Sequence, residues 1–263
     1  MLMNKWTWST WKSLSDQEDK GQEAWQIIAP REAASNPFLM HGMLALTALH
    51  LASETCHSPE TSRKHRAVAL RHHDEAIALF RPVLNNLTPQ NSSIAFAFSA
   101  LLIILSFALP EFPLEQSTKL SPVEELLTIM TLLKGVQSIV TNGRQWIKES
   151  ALGRLLDPGC LEVRGEIPED FKAALARLKA HNSSLYTHEV DIREAYSMTL
   201  DLLEQSVSRL FARPLDRPVV LGWMVVVPDR FDALLREGHP MAQVILAHFS
   251  ILLLTFDFWC EYP

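Results

Sequence analysis

Residues 36–53, NPFLMHGMLALTALHLAS, read as a helix with almost no polar side, and no other stretch restricts the fold as much. Pro37 suits the first helical position, where its missing N–H would have had no partner, and Ser35 or Asn36 can cap the first turn. A helix that is apolar all round must be covered on several faces, so the chain has to supply other helices around it. His41, Ala45, Ala48 and Ala52 follow one another at helical spacing and give a flat row that another helix or a ligand can approach closely. His41 and His50 lie inside the apolar run, and an interior imidazole needs a hydrogen-bond partner from protein, water or ligand.

The remaining sequence reads as further helices separated by proline and polar breaks. Residues 22–29 form a short helix that stops before Pro30. Residues 60–85 form a long amphipathic helix that turns Val68, Leu70, Ile77, Leu79, Phe80 and Val83 to the core, and Pro82 should kink or shorten its end. Residues 91–109 make a second buried helix, capped by Asn91 or Ser92 and ended before Pro110. Pro122 starts a helix expected to stop near Asn142-Gly143. Helices follow over 169–181, 188–211 and 241–259. Val219 to Val227 has strand propensity but no partner strand, so helix is preferred.

Nine glycines, no glycine doublet and no regular strand–turn spacing argue against a sandwich, a barrel or a Rossmann sheet. The expectation is an all-α fold, one multi-helix domain over residues 1–263 with an apolar central pocket, and a surface loop or lid over 150–168. Trp6, Trp8 and Trp11 open the chain with an aromatic segment that could close over a core edge.

Several functions are disfavoured. The net charge of −6 and pI near 5.9 would repel a phosphate backbone. The one basic cluster, Arg63, Lys64, Arg66 and Arg71, includes no aromatic residue and reads as a solvated helix face. Cys56, Cys160 and Cys260 lie about a hundred residues apart and make no metal spacing, which fits a reduced compartment. The N-terminus lacks a secretory apolar region and reads like a natural start, and the longest apolar run, sixteen residues over 94–109, is too short to span a bilayer. No Walker loop, dinucleotide fingerprint, GxSxG elbow, HExxH pair or acidic diphosphate-binding run is present. His65, His72, His73 and Asp74 lie on a charged amphipathic helix and make a weak metal signal. No metal and no cofactor are expected.

Polar groups inside the apolar helices are the remaining candidates. Ser92, Ser99 and Ser106 stand seven apart, either bonding back to their own helix carbonyls or forming a seam along a cavity. Gln243, Ser250 and Asp257 repeat the spacing in the last helix. Asp257 lies between two phenylalanines and either has a raised pKa or reaches water at the helix end.

The segments NPFLMHGMLALTALHLA, RHHDEAIALFRPVL, NSSIAFAFSALLIILSFA and HPMAQVILAHFSILLL resemble successive signatures of the regulatory domain of fungal zinc-cluster transcription factors, most closely the sterol uptake control type. The resemblance runs from about Trp6 to Trp259 and implies an all-α domain with a core pocket that receives a sterol. Two features depart from the pattern. Three scattered cysteines cannot make the six-cysteine zinc cluster, so direct DNA binding in the family's way is not expected. The sequence also lacks the usual tryptophan- and glycine-rich ending.

Two readings follow, from different classes. In the first, a stand-alone protein folds a terpenoid or polyene into a reactive shape, as a cofactor-free cyclase of the pericyclase or Diels–Alderase type or as an isomerase in fungal secondary metabolism. Holding reacting ends together can contribute up to roughly 7–11 kcal/mol. His41, His50, His248 and Asp257 are its candidate catalytic residues. The candidate wall residues are Met40, Leu44, Ala45, Ala48, Phe98, Ser99, Leu102, Ser106, Trp223, Ser250 and Leu254. In the second, the chain is a sterol- or lipid-sensing regulatory domain detached from its DNA-binding part. The first is favoured because a sensor without an output module needs a partner that the sequence does not show. Either way the expected partner is an apolar small molecule inside the cell, cytoplasmic or nuclear, and the three N-terminal tryptophans could support a homodimer.

Overall fold

The computed structural model describes residues 1–14, 22–109, 121–156, 164–212 and 217–253. Among these residues every regular element is a helix and none is a strand, as the sequence predicts. By contact density the described residues up to 109 and from 135 to 156 form one unit, and 121–134 and 164–253 form a second.

The first unit is organised on α3 (Pro37–Glu54), whose buried residues include Leu39, Met43, Leu46 and Leu49. Before it come α1 (Leu2–Trp8), a 3-10 turn (Thr10–Leu14), a π-helical turn (Ala24–Ile28) and α2 (Ala29–Ala33). The helix expected to stop before Pro30 continues past it. The preceding turn is widened, with Ala29 N–H donating to Ala24 O, so proline's missing N–H and its bulk are accommodated where a regular α-turn would clash. Asn36 stands at the N-cap of α3, yet its side-chain amide donates back to Glu32 O at 2.8 Å and does not cap the helix.

Helix α4 (Pro59–Leu84) runs antiparallel to α3 and packs along it, but not through the face that its large apolar residues mark out. Its buried residues are Ser62, Ala69, Ala76 and Phe80, while Val68, Leu70, Ile77 and Val83 are only half-buried and Leu79 is exposed. Small residues seven apart let the two backbones come close: Ser62 Oγ donates to Ala52 O at 2.9 Å. Pro82 lies two residues before the helix end, where few helical bonds remain for it to break.

α5 (Ser92–Ala108) crosses α3 at Gly42, where a Cβ would come within 2.7 Å of the Phe98 ring. Phe98 completes a cluster with Phe38 and Phe80, at centroid distances of 5.4 and 4.6 Å. Such aromatic pairs contribute about 0.5–1.5 kcal/mol each beyond area burial.

α6 (Pro122–Glu149) does not stop at Asn142-Gly143. Gly143 is buried in mid-helix with Ser92 of α5 against it, 3.1 Å from where a Cβ would stand, so the glycine serves a close helix crossing and not a C-terminal stop. The half of α6 up to Lys134 belongs to the second unit and the half from Gly135 to the first.

The second unit also contains α7 (Glu169–Leu185), α8 (Val190–Ala212), α9 (Arg217–Val226), α10 (Asp229–Arg236) and α11 (Pro240–Leu253). Val219 to Val226 is helical, as preferred over strand. α10 ends in a Schellman turn at Gly238, φ 75°, with Gly238 N–H donating to Leu235 O and His239 N–H to Leu234 O. Part of the expected loop over 150–168 lies outside the described residues, but Gly153–Leu156 forms a 3-10 turn. Gly165 is held on α8 by two bonds, Gly165 N–H to Ser208 O at 2.7 Å and Ser208 Oγ to Gly165 O at 2.9 Å.

Candidate functional site

His41 and His50 are nine residues apart on α3, so at about 100° and 1.5 Å per residue they face opposite sides, roughly 13.5 Å apart along the axis. Each meets a different neighbour. His41 Nδ1 lies 3.0 Å from His72 Nδ1 of α4. His50 Nδ1 lies 3.0 Å from Thr10 Oγ1, and its Nε2 is 3.6 Å from Glu54 Oε1, a carboxylate oxygen that also accepts from Lys5 Nζ at 2.6 Å. Burial lowers the pKa of His50, Glu54 pulls it back up and Lys5 pushes it down, with a net fall. His50 therefore ties the N-terminal segment to α3.

His248, in the second unit, donates from Nδ1 to Val244 O at 2.8 Å and stands edge-on to Phe171. Each of the three candidate imidazoles thus engages a protein partner, His41 and His248 through Nδ1 and His50 through both ring nitrogens. Asp257 and Leu254 lie outside the described residues.

The serine stripe takes the local alternative. Ser92, Ser99 and Ser106 donate to Thr88 O, Ala95 O and Leu102 O at 2.6–2.7 Å, and Ser250 does the same to Leu246 O. Ala45, Ala48 and Phe98 have no exposed surface, and Leu102 is 5% exposed; Met40 and Leu44 are half-buried. The row of small residues on α3 is met by a helix: His41 at one end contacts α4, and so does Ala52 at the other. Trp223 is buried, stacked on Phe249 at 4.1 Å, and donates Nε1–H to Thr199 O.

Trp6 and Trp11, expected at a contact surface, are buried. Trp6 is 0% exposed and donates to Trp25 O at 3.0 Å, whereas Trp8 is 79% exposed. Helix α1 separates them because residues two apart on a helix point to different faces. Of the weak metal set, His72 turns to His41 and His73 Nδ1 lies 3.5 Å from Asp74. Among the described residues no three His, Cys, Asp or Glu side chains come close enough together to hold a metal ion.

A cleft of about 780 Å³ lies in the second unit, at residues the sequence reading does not select. Glu124, Leu127, Thr128 and Thr131 share one face of α6 and form a wall with Val123 and the preceding Ser121. α10 adds Leu235 and Arg236, and α11 adds Gln243. Leu127 and Leu235 are almost fully buried, whereas Ser121, Thr128, Thr131, Arg236 and Gln243 are exposed. The signals were local. Ser121-x-x-Glu124 is a capping box, with Ser121 N–H donating to Glu124 Oε2 at 2.7 Å and Glu124 N–H to Ser121 Oγ at 3.2 Å. Hydrogen bonding of the Glu124 carboxylate to the Ser121 backbone, and next to the Ser121 side chain, lowers its pKa.

Beside the cleft, Lys134 Nζ donates to Asp229 Oδ1 at 2.7 Å and to Asp232 Oδ2 at 2.6 Å. Burial of Asp232 raises its pKa against the opposing pull of Lys134, and its Oδ1 is buried without a hydrogen bond among the described residues. Burial pulls Lys134 down, but its two carboxylate partners outweigh this and the net shift is upward. Among the described residues no helix is long and apolar enough to cross a membrane.

Residues 9–147 match the model of the fungal specific transcription factor domain. The chain is 26% identical to sterol uptake control protein 2 of Candida albicans over 182 residues, covering 67% of this chain and 24% of that protein. To sterol uptake control protein 2 of Saccharomyces cerevisiae it is 29% identical over 107 residues, 41% of this chain and 11% of that protein. It is 24% identical over 243 residues to the orsellinic acid/F9775 biosynthesis cluster protein D of Emericella nidulans, covering 89% of this chain and 48% of that protein. The chain thus spans less than half the length of each of these relatives. With more than half of its length inside the family model, this chain belongs to the fungal specific transcription factor domain family.

Proposed function

We propose that the chain acts as a ligand-responsive regulatory domain that takes an amphipathic small molecule, of terpenoid or sterol-like size, in the cleft walled by α6, α10 and α11. The observation that carries this reading is the cleft itself, whose volume lies in the range of small-molecule sites and whose two buried leucines sit beneath a polar rim. Family membership and the sterol uptake relatives support the regulatory role. The test is native mass spectrometry of the chain after incubation with an apolar extract of a fungal host, beside Thr128→Trp. Thr128 is exposed and lines the cleft, so the indole fills space without disturbing the core. A retained mass that Thr128→Trp loses supports the reading; equal retention by the variant overturns the site.

A second reading, cofactor-free cyclisation or isomerisation, is favoured by the relative from a biosynthesis cluster, which covers most of this chain. Its mark would be conversion of one extract component into an isomer of equal mass without added cofactor. His41, His50, His248 and Asp257 are then the residues to substitute.

A further inference from the structure

The cleft holds one cation and one carboxylate among its lining residues, Arg236 and Glu124, and they are engaged very differently. Glu124 is turned to the start of its own helix, accepting from the Ser121 backbone N–H at 2.7 Å. Arg236 makes one long hydrogen bond, Nη2 to Thr131 Oγ1 at 3.4 Å, and among the described residues no carboxylate forms an ion pair with it. The two nearby acids do not supply one. Asp229 and Asp232 are both held by Lys134 within 2.7 Å, and Arg236 acts on Asp232 only at longer range. A planar guanidinium with free donors, at the rim of a cleft whose floor is Leu127 and Leu235, matches a carboxylate carried on an apolar body.

We infer that the cleft selects an organic anion, with Arg236 receiving the carboxylate and the two leucines receiving the apolar part. This inference rests on the cleft being a ligand site and names the chemical class it takes. Gln243 stands on the same lining and can donate its side-chain amide to the second carboxylate oxygen or to a hydroxyl, whereas the Thr131 hydroxyl proton is already given to Leu127 O at 2.8 Å.

The experiment measures binding of cholate and 2-naphthoate, each beside its uncharged methyl ester, by calorimetry on the full chain. The expected result is that the acids bind more tightly than their esters. Arg236→Gln should weaken the acids at least about tenfold and leave the esters unchanged, the loss of a charge-assisted bond. Glu124→Gln keeps a capping side chain but removes the opposing charge, so it should strengthen the acids. Movement in opposite directions is what a merely structural role for either residue would not produce, and far-ultraviolet circular dichroism with thermal melting shows that both variants fold. If esters and acids bind alike and Arg236→Gln changes neither, the anion inference is overturned while the cleft stands. If binding survives Thr128→Trp, or if no probe binds, the cleft reading is overturned with it.

Discussion

Nδ1 of His41 lies 3.0 Å from Nδ1 of His72, joining α3 to α4 at half-buried positions. One nitrogen donates and the other accepts, so the bond needs at least one ring neutral. Burial lowers the pKa of His72, and the neighbouring His41 and Arg71 lower it further. His50 is shifted the same way. A histidine whose folded pKa lies below its unfolded value of 6.5 gives stability that is complete above pH 6.5 and is lost as pH falls toward the folded pKa, because the unfolded chain binds the proton first. The melting temperature should therefore drop between pH 7.5 and 5. In His72→Gln the drop should be shallower, leaving the His50 part. Calorimetric melts across that range check it, and an unchanged slope in the variant would exclude His72 as a source.

Gly42→Ala should destabilise the first unit. Its methyl would stand 2.7 Å from the Phe98 ring, which is wholly buried and held by Phe38 and Phe80, so the ring cannot yield. Overpacking of this kind costs about 1–3 kcal/mol, more than the gain of roughly 1 kcal/mol in helix propensity. Gly135→Ala is the control. Nothing lies within 4 Å of its Cβ position, and it should gain about 0.5–1 kcal/mol in urea unfolding.

Lys134→Met leaves two carboxylates without their cation, one of them the buried Asp232. Lys134 is part-exposed and Asp229 is in water, so the expected loss is about 1–3 kcal/mol, the cost of leaving the buried Asp232 carboxylate without its partner. Lys134→Met with Asp232→Leu should recover most of it, since Asp229 is exposed and tolerates being alone. Denaturant midpoints of the single and double variants decide between a pair that stabilises the unit and one that merely avoids a buried charge.

Trp6→Ala and Trp8→Ala separate the aromatic segment by role. Trp6 is fully buried with its N–H bonded to Trp25 O, so truncation should cost about 3–5 kcal/mol. Trp8 is exposed, and its truncation should change stability by no more than about 0.5 kcal/mol. Sedimentation velocity of Trp8→Ala beside the parent chain shows whether this indole supports self-association.

Errors in the sequence reading share a physical origin. Gly143 and Pro30 are strong local punctuation, and both lie within continuous helix. The close crossing with Ser92 and the widened π-turn outweighed the local preference. On α4, of the large apolar residues expected at the core only Phe80 is buried, and the rest of the buried face is Ser62, Ala69 and Ala76, because α3 presents its own alanines and the closest packing comes from small against small. A hydropathy pattern ranks residues by transfer energy and is blind to the shape of the partner.

The sequence by itself determined the helical class, the positions of the longer helices and the buried character of α3 and α5, because periodicity and apolar content act within one segment, whereas the short α1, α2 and α10 were not read from it. It also held the capping box at Ser121 and the stop at Gly238, both local signals. Tertiary structure decided where the polar groups went. Whether His41 meets a ligand or His72, whether Ala45 and Ala48 face a cavity or a helix, and whether Arg236 keeps its charge open beside Leu127 and Leu235 all depend on residues tens of positions away. Partners that distant are chosen by packing and charge across elements, which no single stretch of chain encodes.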